Sequence, residues 1–138
     1  MSYPSGNDFL RESVLSATPA QLVTMLYDRL LLDLARAEAA QASGDWPTAS
    51  VNLLHAQDIV AELSSSLDVD AWAGGPHLLA IYTYLTTQLI AANVHRDIER
   101  TRECASLLGP LRWAWLAAAQ SLSGGGETGG GASIAVVA

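Results

Sequence analysis

The spacing of the apolar residues constrains the fold of this 138-residue chain more than any other feature. In the segment that ends near Leu67, they recur at alternating steps of four and three residues, starting with Ala49, Leu53 and Ala56. Such steps keep one stripe of an α-helix facing its neighbours. Three other segments have helical periodicity, and no strand-like alternation occurs before residue 122. We therefore predict an all-α fold, an antiparallel four-helix bundle with short links.

The predicted helices have recognisable ends. Thr18 is suited to cap the first helix, with Pro19 in the first turn and Gln21 completing a capping box. Gly44 ends that helix and Asp45 caps the second. The predicted helices run from Pro19 to Ser43, from the Asp45 cap to Leu67, from Pro76 to Asn93, and from Asp97 to Leu122.

Each predicted helix has a row of residues that should face the bundle interior. The four rows, in chain order, are Leu22, Leu26, Leu30, Leu34 and Ala37; Ala49, Leu53, Ala56, Val60, Leu63 and Leu67; Leu78, Tyr82, Leu85, Leu89 and Ala92; and Ile98, Thr101, Ala105, Leu108 and Trp115. We expect the leucines of these rows to carry much of the core, in particular Leu26, Leu53, Leu63, Leu85 and Leu108.

The two ends of the chain differ from the bundle. Residues 1–17 have weak periodicity and form an N-terminal segment that contains the aromatic residues Tyr3 and Phe9. From residue 123 to residue 138 the chain is rich in glycine, which predicts a flexible, disordered tail. We therefore divide the chain into this segment, a bundle domain of residues 18–122, and the tail.

Composition and charge exclude several classes of protein. The formal net charge is −7, with seven arginines and no lysine, which argues against a nucleic-acid-binding face. The single cysteine, Cys104, excludes a disulfide framework and is expected to be a buried, inert thiol. A single cysteine also makes a reducing compartment the natural location, which agrees with the cytoplasmic protein that we expect. The N-terminus lacks the basic and apolar regions of a signal peptide.

The sequence offers neither a metal site nor a membrane span. A di-iron bundle needs Glu-x-x-His pairs, but the residues three positions before His55, His77 and His95 are Asn, Gly and Ala. The charge-free stretch from Ala71 to His95 is long enough to cross a bilayer, but its glycines, threonines and amides favour a helix buried in protein. We predict no cofactor, no catalytic residues and no membrane span.

The bundle has more apolar residues than its interior rows require. The third helix has no charged residue and presents further apolar positions outside its interior row, and the second and fourth helices carry extra apolar residues as well. One interpretation is a wide core stripe in an alanine-rich protein. The other is an exposed groove that awaits a partner helix. The residues predicted to form that groove are Ile59, Ile81, Tyr84, Leu107 and Leu111.

Several phrases of the sequence also follow one another in a characteristic order. Thr-Pro-Ala-Gln-Leu-Val at Thr18 is followed by Ile-Val-Ala-Glu-Leu at Ile59, Ile-Tyr-Thr-Tyr-Leu at Ile81, and Leu-Arg at Leu111 with Trp115. In this order and at these distances, residues 3–122 resemble the flagellar secretion chaperone family FliS. The chain departs from the family pattern at Thr83, where an acidic residue is common, in its lack of lysine and in its glycine-rich tail.

The resemblance implies a function that agrees with an exposed groove. It implies a non-enzymatic cytosolic chaperone that binds the disordered C-terminal segment of flagellin, prevents premature polymerisation and assists delivery to the export apparatus. The cytosolic domain of the flagellar export gate is a further expected partner. Tyr3 and Phe9 are candidates for a lid over the groove, with ordinary packing against a helix end as the alternative.

Three other readings of the sequence remain. The chain could be another helical secretion or adaptor chaperone, or a self-assembling helical bundle. A metal-binding bundle enzyme is disfavoured by the missing ligand pairs. The sequence leaves open whether the protein is a monomer or a homodimer.

Overall fold

Four α-helices form the fold in a computed structural model, which describes residues 18–71 and 73–124. The helices are α1 (Pro19–Ala42), α2 (Trp46–Ser66), α3 (Gly75–Val94) and α4 (Ile98–Gly124). Helix α1 packs against α2 and α4, and α3 packs against the same two helices, so the four close into a ring. The predicted all-α four-helix bundle is confirmed, and its helix ends lie within two residues of the predicted ones.

The ends of α1 follow from local sequence. The Thr18 amide donates to Gln21 Oε1 over 2.8 Å, and the Gln21 amide donates to Thr18 Oγ1 over 3.2 Å, which forms the predicted capping box. At the other end Gly44 takes a positive φ of 75°, a conformation that glycine adopts without a steric penalty. Asp45 then caps α2, since its side chain accepts from the Thr48 amide over 3.3 Å.

The predicted interior rows of α2 and α3 largely coincide with the observed core. All five residues of the α3 row are buried, as are the first five of the α2 row. The fourth row is buried at Thr101 and Leu108 and half-buried at Ile98, Ala105 and Trp115. Cys104 is buried between these positions, as expected for a structural thiol. The alternating spacing therefore located the faces of these helices.

The predicted interior row of α1 is wrong in its first half. Leu22 is 37% exposed and Leu26 is only half-buried, whereas Val23 and Tyr27 are buried. The predicted row advanced by repeated steps of four, and each such step rotates by about 40° around a helix. After three such steps, the predicted row has rotated away from the side of α1 that faces the other helices. The observed row from Val23 to Ala37 alternates steps of four and three residues, so it remains on that side.

Close packing also fixes the start of α3. A Cβ atom added to Gly75 would lie 2.2 Å from the carbonyl oxygen of Val69, far inside van der Waals contact. Glycine at this position allows the loop after α2 to pass directly over the first turn of α3, which sets where that helix begins.

The predicted ends of the chain lie outside the described residues, apart from two positions. Tyr3, Phe9 and the rest of residues 1–17 are not described, nor are residues 125–138. Residues 123 and 124, which the sequence assigned to the tail, belong to α4.

Candidate functional site

The outward side of α3 is apolar and carries no charged side chain. Helix α3 has no aspartate, glutamate, lysine or arginine along its 20 residues. Its large exposed apolar side chains are Tyr84 at 43%, Ile90 at 45% and Val94 at 69% exposure. Together with the smaller exposed side chains between them they form what we call the α3 face, which comprises Ala80, Thr83, Tyr84, Thr87, Ile90 and Val94.

The two threonines of the α3 face add little polarity to it. Thr83 Oγ1 donates to the Leu79 carbonyl oxygen over 3.0 Å, and Thr87 Oγ1 donates to the Thr83 carbonyl oxygen over 3.2 Å. Both hydroxyl protons are therefore bonded within the helix itself. A covering partner would not have to supply acceptors for them, so the α3 face behaves as a nearly continuous apolar strip.

One edge of the α3 face is the seam with α4. The Tyr84 hydroxyl donates to the Glu103 carboxylate, and Arg100 Nη1 donates to Gln88 Oε1 over 2.8 Å. In the antiparallel register that these bonds set, Ile81 lies about one turn further along, at the level of Leu107. The acceptor role of Glu103 raises the pKa of Tyr84 above its ordinary value, so the phenol stays neutral.

The other edge of the α3 face is formed by α2. Leu54 is 51% exposed there, and a cleft brings its neighbour Leu53 together with Ala92 and Val94. Because the two helices are antiparallel, Leu54 lies near the level of Ile90. Apolar side chains of α2 therefore extend the strip at its Val94 end.

The structure separates the five predicted groove residues into three groups. Tyr84 and Leu107 are exposed, at 43% and 37%, and Ile81 and Leu111 are half-buried and pack against the core. Ile59 is buried, with 6% exposure, so its predicted place on the outer surface is wrong.

The position of Ile59 has a simple physical reason. It lies one turn after His55, whose Nδ1 contacts the Asp33 carboxylate of α1. Ile59 therefore lies on the α1 side of α2, away from α3 and α4. The predicted lid residues Tyr3 and Phe9 lie outside the described residues.

An aromatic hydrogen-bond chain lies beneath the α3 face. The hydroxyls of Tyr27 and Tyr82 are 2.6 Å apart, and Trp115 Nε1 donates to the Tyr27 hydroxyl over 3.1 Å. Burial raises the pKa of both tyrosines above the ordinary value, so they remain neutral. These hydrogen bonds join α1, α3 and α4, and they stabilise the packing beneath the α3 face.

A second polar cluster joins the helices at the opposite end of the core. Thr101 Oγ1 donates to Gln41 Oε1 over 2.7 Å, and Gln41 Nε2 donates to the Ala92 carbonyl oxygen over 3.3 Å. These bonds connect α4, α1 and α3. The buried polar groups of this cluster are thus satisfied within the protein, and they serve packing specificity.

The buried Asp33 was not predicted from the sequence. Its carboxylate is fully buried on α1, with His55 on one oxygen and Arg29 Nε 3.1 Å from the other, although Arg29 is not aligned for a hydrogen bond. Arg29 and His55 are both about half-exposed, so this group lies at a seam. It joins α1 to α2.

The described residues give no sign of reactive chemistry. Burial and the adjacent Glu103 raise the pKa of the Cys104 thiol to about 12, so it remains protonated at neutral pH. Residues 18–71 and 73–124 contain no group of three potential metal ligands. Within the same ranges, no helix has the combined length and hydropathy of a bilayer-spanning segment.

Two large members of the α3 face, Ile90 and Val94, are absent from the predicted groove. The predicted third helix ended at Asn93, one residue too early, so Val94 was assigned to the following turn. A helix extended by one residue would have placed it with Ile90 on the same side.

Comparison with known proteins gives one consistent result. The sequence model of the family described as "Flagellar protein FliS" matches residues 3–122. Two relatives are named "Flagellar secretion chaperone FliS". The protein from Escherichia coli K12 is 32% identical to this chain, and the protein from Bacillus subtilis 168 is 31% identical to it. The aligned parts cover 77% of this chain and 79% of the first relative, and 82% of this chain and 84% of the second. A Salmonella typhimurium relative of the same name is 31% identical over 110 residues.

Proposed function

Since the chain belongs to the FliS family of flagellar secretion chaperones, we propose that it binds the C-terminal segment of flagellin on the α3 face. Binding takes place in the cytoplasm, where the bound chaperone prevents flagellin from polymerising before export. The protein then assists delivery to the flagellar export apparatus, with the cytosolic domain of the export gate as a second partner. No chemical step and no cofactor are involved.

The observation that carries this proposal is the uncharged α3 face. An exposed apolar strip gains free energy when a partner removes it from water, by roughly 25 cal/mol for each Å². An amphipathic helix is the natural partner, because its apolar residues recur at the same spacing as those of α3. Tyr84 and Leu107 stand at the α4 edge of this strip, where they would meet the partner's flank.

The energetics of a disordered cargo agree with a wide binding surface. A segment that folds when it binds loses conformational entropy, so part of the interaction energy is spent on ordering it. A long apolar surface offsets this loss and still leaves the affinity moderate. Moderate affinity suits a chaperone whose cargo must be released for export.

The proposal is tested by titrating the protein with a synthetic peptide of the flagellin C-terminal segment in a calorimeter. We expect binding with a negative heat-capacity change, because apolar surface is buried. Ile90→Asp should weaken this binding strongly, since it places a charge in the strip. Leu32→Asp is the matched control, because Leu32 is 42% exposed on α1 and Ile90 is 45% exposed on α3.

The two variants also separate binding from stability. Both replaced residues are similarly exposed, so both proteins should melt within a few degrees of the wild type. Equal weakening by Ile90→Asp and Leu32→Asp would contradict a site on α3. A wild-type protein that shows no binding heat at several temperatures and forms no complex in gel filtration would refute the proposed function.

A further inference from the structure

Two helix ends of this bundle use the same backbone motif with different residues. After α1, the Gly44 amide bonds to the Gln41 carbonyl oxygen and the next amide, Asp45, bonds to Ala40. After α3, the Arg96 amide bonds to Asn93 and the Asp97 amide bonds to Ala92. Both motifs require a left-handed residue, with φ of 75° at Gly44 and 52° at Arg96.

An arginine is an unusual residue for that position. The left-handed conformation brings Cβ close to the following carbonyl oxygen, so it disfavours every residue with a side chain relative to glycine. Arg96 is the only non-glycine residue with positive φ among the described residues. A strained residue of this kind is a reason to look for a role of its side chain.

The Arg96 side chain lies at the mouth of a cleft. Its guanidinium carbon is 5.0 Å from the centroid of the Trp46 ring, in a cation–π arrangement. The cleft has a volume of about 450 Å³ and opens between the start of α2 and the end of α3. The residues that line it include Trp46, Ser50, Leu53, Asn93, Val94 and Arg96.

Within residues 18–71 and 73–124, no carboxylate neutralises the charge of Arg96. The residues of these ranges that line the cleft include no aspartate or glutamate, and none of the ion pairs found there involves Arg96. The nearest acidic residues in sequence have other partners. Asp45 accepts from the Thr48 amide, and Asp97 pairs with Arg100 over 3.1 Å. In a protein of net charge −7, this cleft is a local cationic site.

The cleft continues the α3 face. Val94 belongs to both, since it is 69% exposed on α3 and also lines the cleft. A partner helix that lies along the α3 face is therefore led towards Trp46 and Arg96 at one end. Among the described residues, the arginine side chains that donate hydrogen bonds are those of Arg100, Arg102 and Arg112, and not that of Arg96. The N–H donors of Arg96 are therefore available to a ligand in the cleft.

We propose that this cleft binds the terminal carboxylate of the cargo, with the last apolar side chain of the cargo between Trp46, Leu53 and Val94. Arg96 supplies the charge-assisted hydrogen bond, and the Asn93 amide and the Ser50 hydroxyl are further donors within the cleft. The cargo helix then runs parallel to α3: it begins beside the N-terminal end of α3 and ends beside Val94. This inference rests on the proposed function, because it takes the flagellin C-terminal segment as the cargo.

The test compares three forms of the flagellin C-terminal peptide. One has a free carboxyl terminus, one is amidated, and one is lengthened by Gly-Ser-Gly-Ser, which keeps the charge but moves it. Wild-type protein should bind the free form about tenfold more tightly than the other two, as expected for the loss of a charge-assisted hydrogen bond. Arg96→Gly should bind all three forms with the same affinity as wild type binds the amidated one.

Arg96→Gly also distinguishes a binding role from a structural one. Glycine retains the left-handed turn and relieves its strain, so the melting temperature should stay the same or rise. Arg96→Asn offers a second uncharged residue that tolerates this conformation, and it should give the same binding pattern.

Several results would overturn the carboxylate site. Equal wild-type affinity for the free and amidated peptides would refute it while leaving the proposed function intact. A uniform loss of affinity for all three peptides in Arg96→Gly, together with a lower melting temperature, would show that Arg96 only braces Trp46. Failure of the wild type to bind any of the peptides would refute both this site and the proposed function.

Discussion

The outward sides of α1 and α3 differ in the number of charged side chains that they carry. Helix α1 carries Asp28, Arg29, Arg36 and Glu38, whereas α3 carries no charged residue at all. Two residues of α1 pair with α4, since Arg112 Nε contacts Asp28 and Arg102 Nε lies 2.6 Å from Glu38. The charges of α1 are thus arranged along its seam and its exposed surface.

This difference in charge supports the proposal that the partner covers α3. A charged helix surface is well solvated, and covering it would require its charges to lose water. The α3 face has no such requirement, and its threonine hydroxyls are bonded within the helix. These features support the proposal that a partner covers the α3 side of the bundle and not the α1 side.

The largest expected effect is a difference in unfolding free energy between substitutions on the inner and outer sides of α3. Leu85 is fully buried on the inner side, so Leu85→Ala should lower the free energy of unfolding by about 2–5 kcal/mol. Ile90→Ala on the α3 face should lower it by less than about 1 kcal/mol, because Ile90 is already 45% exposed. Urea denaturation of both variants measures the contrast. Similar losses in the two variants would show that the α3 face belongs to the core.

Alkaline pH should lower the stability of the bundle through its buried ionisable groups. The Cys104 thiol has a pKa raised to about 12 from an ordinary 9.0, so it stays protonated in the folded protein while the unfolded chain ionises. Stability should therefore fall above pH 9, by up to about 1.4 kcal/mol for each pH unit until about pH 12. The buried tyrosines, whose pKa values are also raised, should add to the loss above pH 10.

A single substitution isolates the thiol in that experiment. Cys104→Ala removes the ionisable group, and its stability should fall less steeply between pH 9 and pH 10 than that of the wild type. The same slope in both proteins would contradict a buried, protonated Cys104.

The agreement between sequence and structure depended on the kind of pattern used. Alternating steps of four and three located the inner rows of α2 and α3, because that pattern follows one side of a helix. Spacing alone could not distinguish the two flanks of a helix, so Ile59 was placed beside α3 when it faces α1. Only the tertiary contact between His55 and Asp33 reveals that orientation.

The polar core was less predictable still. Nothing in the sequence indicates that Asp33 is buried or that Gln41 bridges to Ala92 and Thr101, because each bond joins residues distant in the chain. Arg96 was missed for another reason. Its left-handed conformation is a property of the turn, and sequence patterns favour Gly or Asn at such a position.

The N-terminal segment provides a further way to test the α3 face. Residues 1–14 contain Tyr3 and Phe9, which we predict to cover part of this surface when no cargo is bound. Deleting these residues should tighten cargo binding or raise the association rate severalfold, because the cargo no longer displaces an occupant. Stopped-flow mixing with a fluorescent flagellin peptide measures the rate. Unchanged affinity and association rate would show that Tyr3 and Phe9 are not a lid.

The smallest effect is expected on the α1 side. Arg102→Ala breaks ion pairs with Glu38 and Glu99 that are largely exposed, so the free energy of unfolding should hardly change. Its affinity for the flagellin peptide should equal that of the wild type. A marked loss of affinity would mean that the charged α1–α4 seam also contacts the cargo.

Cysteine labelling distinguishes a cargo that covers α3 from one that covers α1. Thr87→Cys places a reactive thiol on the α3 face, and Arg36→Cys places one on the exposed side of α1, while the native Cys104 stays buried. Alkylation rates are measured with and without a flagellin peptide at a concentration that occupies nine-tenths of the protein. A cargo that covers the α3 face should slow labelling at position 87 about tenfold and leave labelling at position 36 unchanged. Protection at position 36 with none at position 87 would contradict this placement of the cargo.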